Sequence, residues 1–355
     1  MKAWVLEDIG KFNFHNDILN PTPAKGEVLV KVHATGICGS DIQRVYENGA
    51  HRMPLIIGHE FSGEVVALGE GVDEKWNNKR VGVFPLIPCK SCPSCINKAY
   101  EMCSSYSYLG SRTDGGFAEL VIVPEWNLIE LPNNVTYKQA AMLEPMAVAV
   151  HAMRRIDIKP ESTIAIAGMG TIGLLLTMFL LERGLHNIYA IGSKDSQRDE
   201  AIKLGIPKEN YIDGRDTNKV TEQLLMLTNN KGVDIYFDCV GKNETSELGL
   251  NITAPGGQIC LVGNPYTDMH YSKESYWKIL RRQLRLTGTW NSSYLGELDT
   301  ESVNDDWHYV LNKLEEEKIS PEVLITHEYP MEEIIKGFEV MKNKSEPYIK
   351  VMMID

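Results

Sequence analysis

Short apolar, β-branched runs broken by Gly and Pro recur through the first 150 or so residues. Val28-Leu29-Val30-Lys31-Val32 and Gly63-Glu64-Val65-Val66-Ala67 are short, β-branched runs set between Gly- and Pro-containing turns, and they predict strands in a mostly-β half. After Pro160 the pattern changes. Apolar runs at Thr163 to Ala167, Ile188 to Ile191, Val233 to Val240 and Gln258 to Val262 alternate with helical stretches, the rhythm of parallel strands covered on both faces. The apolar stretch Leu174 to Leu181 predicts a helix directly after the first of these runs. Near the end, Asp305 to Glu317 is patterned as an amphipathic helix, and Tyr348 to Met353 as a strand that rejoins the first half. The expected organisation is α/β and discontinuous: 1–150 with 291–355 form one mostly-β domain, and 151–290 form a doubly wound parallel-sheet domain. No internal repeat or low-complexity segment interrupts it.

Composition narrows the class without naming a chemistry. With 355 residues and 43% apolar content, the chain can bury a substantial core, and the length suits two domains. No run approaches the roughly 20 apolar residues that span a bilayer. The start, MKAWVLEDIGKF, lacks the features of a secretory signal, so a cytoplasmic location is expected. A formal charge of -12 argues against nucleic acid or an anionic membrane as partner. A small local basic pocket for an anionic substrate stays open.

Seven cysteines, an odd number without a signal, favour metal ligation over disulfides. Cys89, Cys92, Cys95 and Cys103 stand as C-x2-C-x2-C-x7-C, close enough for one loop to bring four thiolates to the corners of a tetrahedron. That is the pattern of a structural zinc, whose closed shell leaves no room for substrate. An iron-sulfur cluster or unligated thiols are the alternatives, but the spacing departs from ferredoxin patterns. A second set is scattered. Cys38 lies in a glycine-flanked turn, His59 and Glu60 follow after 20 intervening residues, and Glu144 stands in Leu143-Glu144-Pro145. Singly, these read as a buried thiol, a core histidine and a helix-start carboxylate. Together they form the mixed donor set that holds zinc and leaves a position open for water or an alcohol.

In Gly168-Met169-Gly170-Thr171-Ile172-Gly173, the G-x-G-x-x-G pattern follows a predicted strand and opens a predicted helix. The first glycine permits the turn, the second lets backbone approach a pyrophosphate, and the third allows close helix packing. This is the Rossmann dinucleotide fingerprint. At the end of the second strand, where NAD-binding domains place an acid, the chain has Gly192-Ser193-Lys194. Ser193, Lys194 and Arg198 offer hydrogen bonds and charge to a 2′-phosphate, so NADP is the expected cofactor. The alternative is an ordinary loop in which Asp195 serves NAD.

The strings GICGSD, GHEFSGEVVALGEGV, DGGFAE and LEPMAVAVHA, with the four-cysteine loop, closely resemble the sorbitol dehydrogenase branch of the zinc-dependent medium-chain dehydrogenases over nearly the whole chain. The resemblance implies a GroES-like catalytic domain beside the Rossmann domain, two zinc ions per subunit, and a homodimer or homotetramer. It makes Cys38, His59 and Glu144 ligands of the catalytic zinc, with Glu60 able to enter the shell or exchange with a ligand. Ser40 corresponds to the hydroxyl that relays the alcohol proton, although a turn serine reads the same way. Gln43 stands where many relatives have a histidine at the outer end of that relay.

Within the branch, Glu47 to His51, Tyr108 to Asp114, the run Lys278 to Arg282 and Gly288-Thr289-Trp290 look most like enzymes that interconvert galactitol 1-phosphate and tagatose 6-phosphate. Arg44, His51 and Arg112 are the side chains available for such a phosphate, each also readable as a solvated surface group. The expected activity is hydride transfer between a polyol-phosphate secondary hydroxyl and NADP. An unphosphorylated polyol or secondary alcohol is the enzyme alternative, and an NADPH-binding regulator without catalysis is the alternative outside enzymes.

Overall fold

The computed structural model describes residues 1–296 and 304–355. The chain divides into two compact units, Met1–Ala147 with Ser292–Asp355, and Val148–Asn291.

The first unit is built on a mixed sheet whose central strand is Glu27–Gly36. Val28, Val30 and Val32 turn inward while Lys31 faces solvent, the alternation of a strand with one buried face. Glu60–Leu68 pairs antiparallel along one edge of this strand, continuing outward through Arg80–Val83 and Leu128–Glu130. Leu120–Pro124 pairs with its first half. Its last residues, Ala34 to Gly36, meet Lys350–Ile354, which runs beside Ile325–Tyr329. The C-terminal strand therefore joins the first sheet, as its hydrophobic pattern predicts. Its core includes Trp4, Phe12, Phe61, Phe117, Phe338 and the inward valines.

The second unit carries six parallel strands in the order Tyr211–Asp213, Ile188–Gly192, Ile164–Ala167, Val233–Asp238, Thr253–Leu261, Arg285–Gly288. Numbered along the chain this is 3-2-1-4-5-6, the order of a doubly wound dinucleotide fold, with its switch between the first and fourth strands. Ile164–Ala167 and Ile188–Gly192 are buried at every position, which is why they read as unbroken apolar runs. Two strands escape the periodicity. Tyr211–Asp213 has only three residues, and Arg285–Gly288 lies at the sheet edge with mostly exposed side chains, so neither shows a buried apolar run. The basic run Lys278 to Arg282 belongs to the end of helix Lys273–Arg281 and its cap. The helix predicted at Leu174 to Leu181 spans Thr171–Glu182, and the one predicted at Asp305 to Glu317 spans Asp306–Glu315 with Asp305 as N-cap. No described helix is long and apolar enough to cross a membrane.

Candidate metal and cofactor sites

In the first unit the four-cysteine loop closes on itself. The ligand atoms of Cys89, Cys92, Cys95 and Cys103 all lie within 4.8 Å of one another, and no cysteine is in a disulfide. The Cys89–Cys95 and Cys92–Cys103 sulfur pairs are each 3.9 Å apart. A tetrahedral zinc with Zn–S of about 2.3 Å sets its sulfurs roughly 3.8 Å apart, close to these two separations, so the four residues suit such an ion. Backbone amides already point at the sulfurs: Cys92 N–H donates to Cys89 Sγ at 3.4 Å and Cys89 N–H to Cys103 Sγ at 3.3 Å. Amides of Cys95 and Ser104 hold the Cys92 thiol down to about 5, whereas burial pushes Cys95 up to about 12. Donors of this kind favour thiolate, the form that binds metal.

The second cluster assembles from distant segments. Cys38 follows the end of Glu27–Gly36 and caps the short helix Gly39–Gln43, its N–H donating to Asp41 Oδ2 at 3.0 Å. His59 and Glu60 stand at the entry of the neighbouring strand, both nearly fully buried. Because Gly36 and Glu60 are directly paired, the ends of two adjacent strands bring Cys38, His59 and Glu60 together, with ligand atoms within 4.8 Å of one another. Glu144, in the first turn of helix Leu143–Arg154, accepts from Tyr108 Oη at 3.2 Å. Burial raises its pKa to about 7, with the Glu60 carboxylate pushing the same way and His59 and Lys350 opposing. Thus Cys38, His59 and Glu60 form the compact set, with Glu144 electrostatically coupled to it.

Groups that pattern reading did not assign hold these donors. Asp41 is fully buried, and its Oδ1 lies 3.4 Å from His59 Nδ1 and 2.8 Å from Arg44 Nη1. Burial works against a charged His59, but the Asp41 carboxylate and the Cys38 thiol outweigh it and raise the pKa well above the ordinary value. A carboxylate behind a ligating imidazole orients the ring and fixes its tautomer. Tyr108 lays its ring edge-on against His59 at 5.8 Å. Asp41 was visible three residues after Cys38, and Tyr108 opened the segment Tyr108 to Asp114, but neither was assigned a role; Lys350 carried no signal of a site.

Ser40 sits in the first turn after Cys38, its Oγ accepting from Arg44 Nη1 at 3.0 Å. Arg44 is therefore committed to Asp41 and Ser40. His51 is exposed, and slight burial followed by the charges of Arg112 and Arg44 lowers its pKa. Arg112 stacks on the Tyr106 ring at 4.6 Å, and its buried Nε has no hydrogen-bond partner.

In the second unit the glycine turn has the expected form. Gly168 takes φ +93°, and a Cβ there would strike Val240. A Cβ on Gly173 would come 2.0 Å from Gly168 O, so helix and strand pack too closely for any side chain. Gly170, the N-cap of helix Thr171–Glu182, faces open space, and no side chain caps the helix. Thr171 and Ile172 form the first turn of that helix, whose N-terminal amides and positive potential suit an anion. At the end of the second strand, a Cβ on Gly192 would sit 2.3 Å from Tyr211 Oη, which donates to Lys194 O at 3.3 Å. Ser193 is exposed, and Lys194 is the N-cap of helix Asp195–Leu204. Arg198 pairs with Asp195 at 2.8 Å and Asp199 at 2.9 Å, so its charge is already matched.

Comparison with known proteins agrees with this architecture. Residues 24–133 match the alcohol dehydrogenase GroES-like domain, and 171–315 match the zinc-binding dehydrogenase family. The chain is 31% identical to galactitol 1-phosphate 5-dehydrogenase of Escherichia coli K12, with all of both chains covered. It is 32% identical to sorbitol dehydrogenase of Halalkalibacterium halodurans over 99% of each chain. The crystal structure of galactitol-1-phosphate dehydrogenase from Escherichia coli superposes with TM-score 0.89 at 30% identity, over all of both chains. A zinc-binding dehydrogenase from Sinorhizobium meliloti bound to NADP superposes with TM-score 0.87 at 26% identity, over 100% of this chain and 99% of that one. A GroES-like unit and a Rossmann unit with these relatives place the chain in the zinc-dependent polyol and alcohol dehydrogenase family.

Proposed function

We propose that the chain transfers hydride between a secondary hydroxyl of a hexitol phosphate, of the galactitol 1-phosphate class, and NADP. The observation that carries the reading is the convergence of half-buried Cys38 with buried His59 and Glu60, a donor set suited to a catalytic zinc. Cys38 and His59 would hold the ion with a carboxylate from Glu60 or Glu144, and Cys89, Cys92, Cys95 and Cys103 would hold a second, structural ion. When bound, the catalytic zinc supplies Lewis acidity that lowers the pKa of an alcohol and polarises a ketone. Asp41 keeps the His59 ring oriented, and Ser40 would accept the substrate proton and pass it on. The helix N-terminus at Gly170 to Gly173 would hold the cofactor pyrophosphate.

Two further features support the finer reading. Tyr211 fills the place that an acidic side chain at Gly192 would take, leaving Ser193 and Lys194 beside the region where a 2′-phosphate would lie. The unpartnered Nε of Arg112, close to His51, suits an anionic group on the substrate. Arg198 and Arg44, already ion-paired, contribute less to either phosphate.

Steady-state oxidation of galactitol 1-phosphate, galactitol, sorbitol and simple secondary alcohols, each with NADP and NAD and with zinc assayed, tests this. The expected result is highest kcat/KM with the phosphate and NADP. Arg112→Ala then raises KM for the phosphate about tenfold and leaves free polyols unchanged, from the loss of one charge-assisted contact. Preference for a free polyol would sink the phosphate assignment, and preference for NAD the cofactor assignment.

A homodimer or homotetramer belongs to the same proposal. Arg285–Gly288 ends the parallel sheet, and Tyr276, Trp277 and Leu280 are each more than half exposed on the preceding helix. A second copy meeting this face through a two-fold axis would cover both. Sedimentation of wild type and Trp277→Asp measures it; a monomeric wild type at micromolar concentration defeats it.

A further inference from the structure

Lys350 has no part in the reaction as described, yet it reaches the metal cluster from the far end of the chain. It is 2% exposed, and its ammonium donates to Glu60 Oε2 and, at 3.1 Å, to Ile37 O. Burying a lysine and a glutamate removes both from water at a cost that their attraction barely offsets. Such a pair is a weak source of stability, which points to a role in the site.

The sheet register explains how the two side chains meet. Gly36 on the central strand pairs with Glu60 on one side and with Met352 on the other. Lys350 precedes Met352 by two residues and so shares its face. A Cβ on Gly36 would come 2.2 Å from Glu60 Oε2, 2.6 Å from Lys350 Cε and 2.8 Å from Lys350 Nζ. The two long side chains thus join across the central strand, over the one residue that leaves them room.

We propose that Lys350 is a positioning residue of the catalytic metal site, whose ammonium restrains Glu60 and so keeps one coordination position available to substrate. This rests on the zinc reading above. Cys38, His59, Glu60 and Glu144 supply four donors, and four protein ligands would give zinc the closed shell of a structural site. Glu144 is held by the neutral Tyr108 hydroxyl, whereas Glu60 is held by a full charge. With Asp41 matched by Arg44, a dication and the Lys350 ammonium together balance the Cys38 thiolate and both carboxylates. Without the ammonium the site carries excess negative charge, which strengthens its hold on a dication and frees Glu60 to bind it.

Cobalt(II) provides the readout, since its visible bands follow coordination. Wild type, Lys350→Met, Lys350→Arg, Gly36→Ala and Cys38→Ser are loaded with cobalt, and spectra and release to a chelator are recorded. The difference between wild type and Cys38→Ser isolates the bands of this site from those of the four-cysteine loop. Lys350→Met is expected to shift these bands and slow release from this site about tenfold, the lower end of effects seen for partners of metal ligands. Lys350→Arg stays near wild type. Gly36→Ala, which forces the flexible ends of the pair apart, moves in the same direction as Lys350→Met and serves if that variant does not fold. Cys38-dependent bands and release unchanged in Lys350→Met and Gly36→Ala overturn the inference and leave the zinc reading standing. The absence of any Cys38-dependent band overturns the zinc reading and this inference with it.

Discussion

The four-cysteine loop and the Cys38, His59 and Glu60 cluster draw on overlapping donor chemistry, yet they are built in opposite ways. The loop gathers its ligands within 15 residues, and local turns and amides arrange it. The other cluster depends on the pairing of two strand ends, on a helix start at Glu144, and on Lys350 from the last strand. Local assembly yields a closed shell of like ligands, suited to bracing a lobe. Assembly across the fold yields a mixed set, because its donors come from several elements: Cys38 caps a short helix, His59 and Glu60 enter a strand, and Glu144 starts a second helix.

The sharpest way to break this comparison is at the assembled cluster. His59→Ala is expected to lower kcat/KM by at least about a thousandfold, the effect of removing several kcal/mol of Lewis-acid assistance. Bound zinc falls by one ion per chain while circular dichroism and melting temperature stay near wild type. A zinc content and activity unchanged in this variant would remove His59 from the site.

Cys103→Ser should give the opposite profile. Metal binding at such a loop is coupled to its folding, so losing one of four thiolates lowers the melting temperature by several degrees or more. The protein that stays folded keeps a kcat/KM within a few-fold of wild type. Equal loss of activity and stability in both variants would erase the distinction between bracing and reacting sites.

The nucleotide site contains the same contrast on a smaller scale. Its glycine turn is local, whereas the end of the second strand, where we propose the adenosine ribose, is shaped by Tyr211 from the next strand. Lys194→Ala is expected to raise KM for NADP about tenfold with little change for NAD, the effect of one charge-assisted hydrogen bond. Arg198→Ala, whose guanidinium is matched by Asp195 and Asp199, should change either KM by less than about threefold, as exposed pairs contribute little. A larger NADP effect from Arg198 than from Lys194 would reverse their ranking.

Pattern reading reached the α/β class, four of the six parallel strands, the C-terminal strand and both helices it named. The missed strands, Tyr211–Asp213 and Arg285–Gly288, are short or solvent-facing, so no run of buried residues announces them. Among site residues, Asp41 lay inside a motif and could have been found by asking what orients His59. Tyr108 opened a segment already singled out, but its bond to Glu144 spans 36 residues and that of Lys350 to Glu60 spans 290, beyond the reach of local pattern.

What the sequence by itself determined is the chemistry carried at short range. The C-x2-C-x2-C-x7-C spacing brings four sulfurs into one turn, and G-x-G-x-x-G sets backbone angles and close approach within six residues, so neighbours along the chain dictate both. Only the tertiary structure decided which carboxylate shares the compact cluster with Cys38 and His59, and which cation answers it. That outcome follows from strand register: Gly36 lies opposite Glu60 and Met352 at once, and a shift of one residue would turn Glu60 and Lys350 to opposite faces of the sheet.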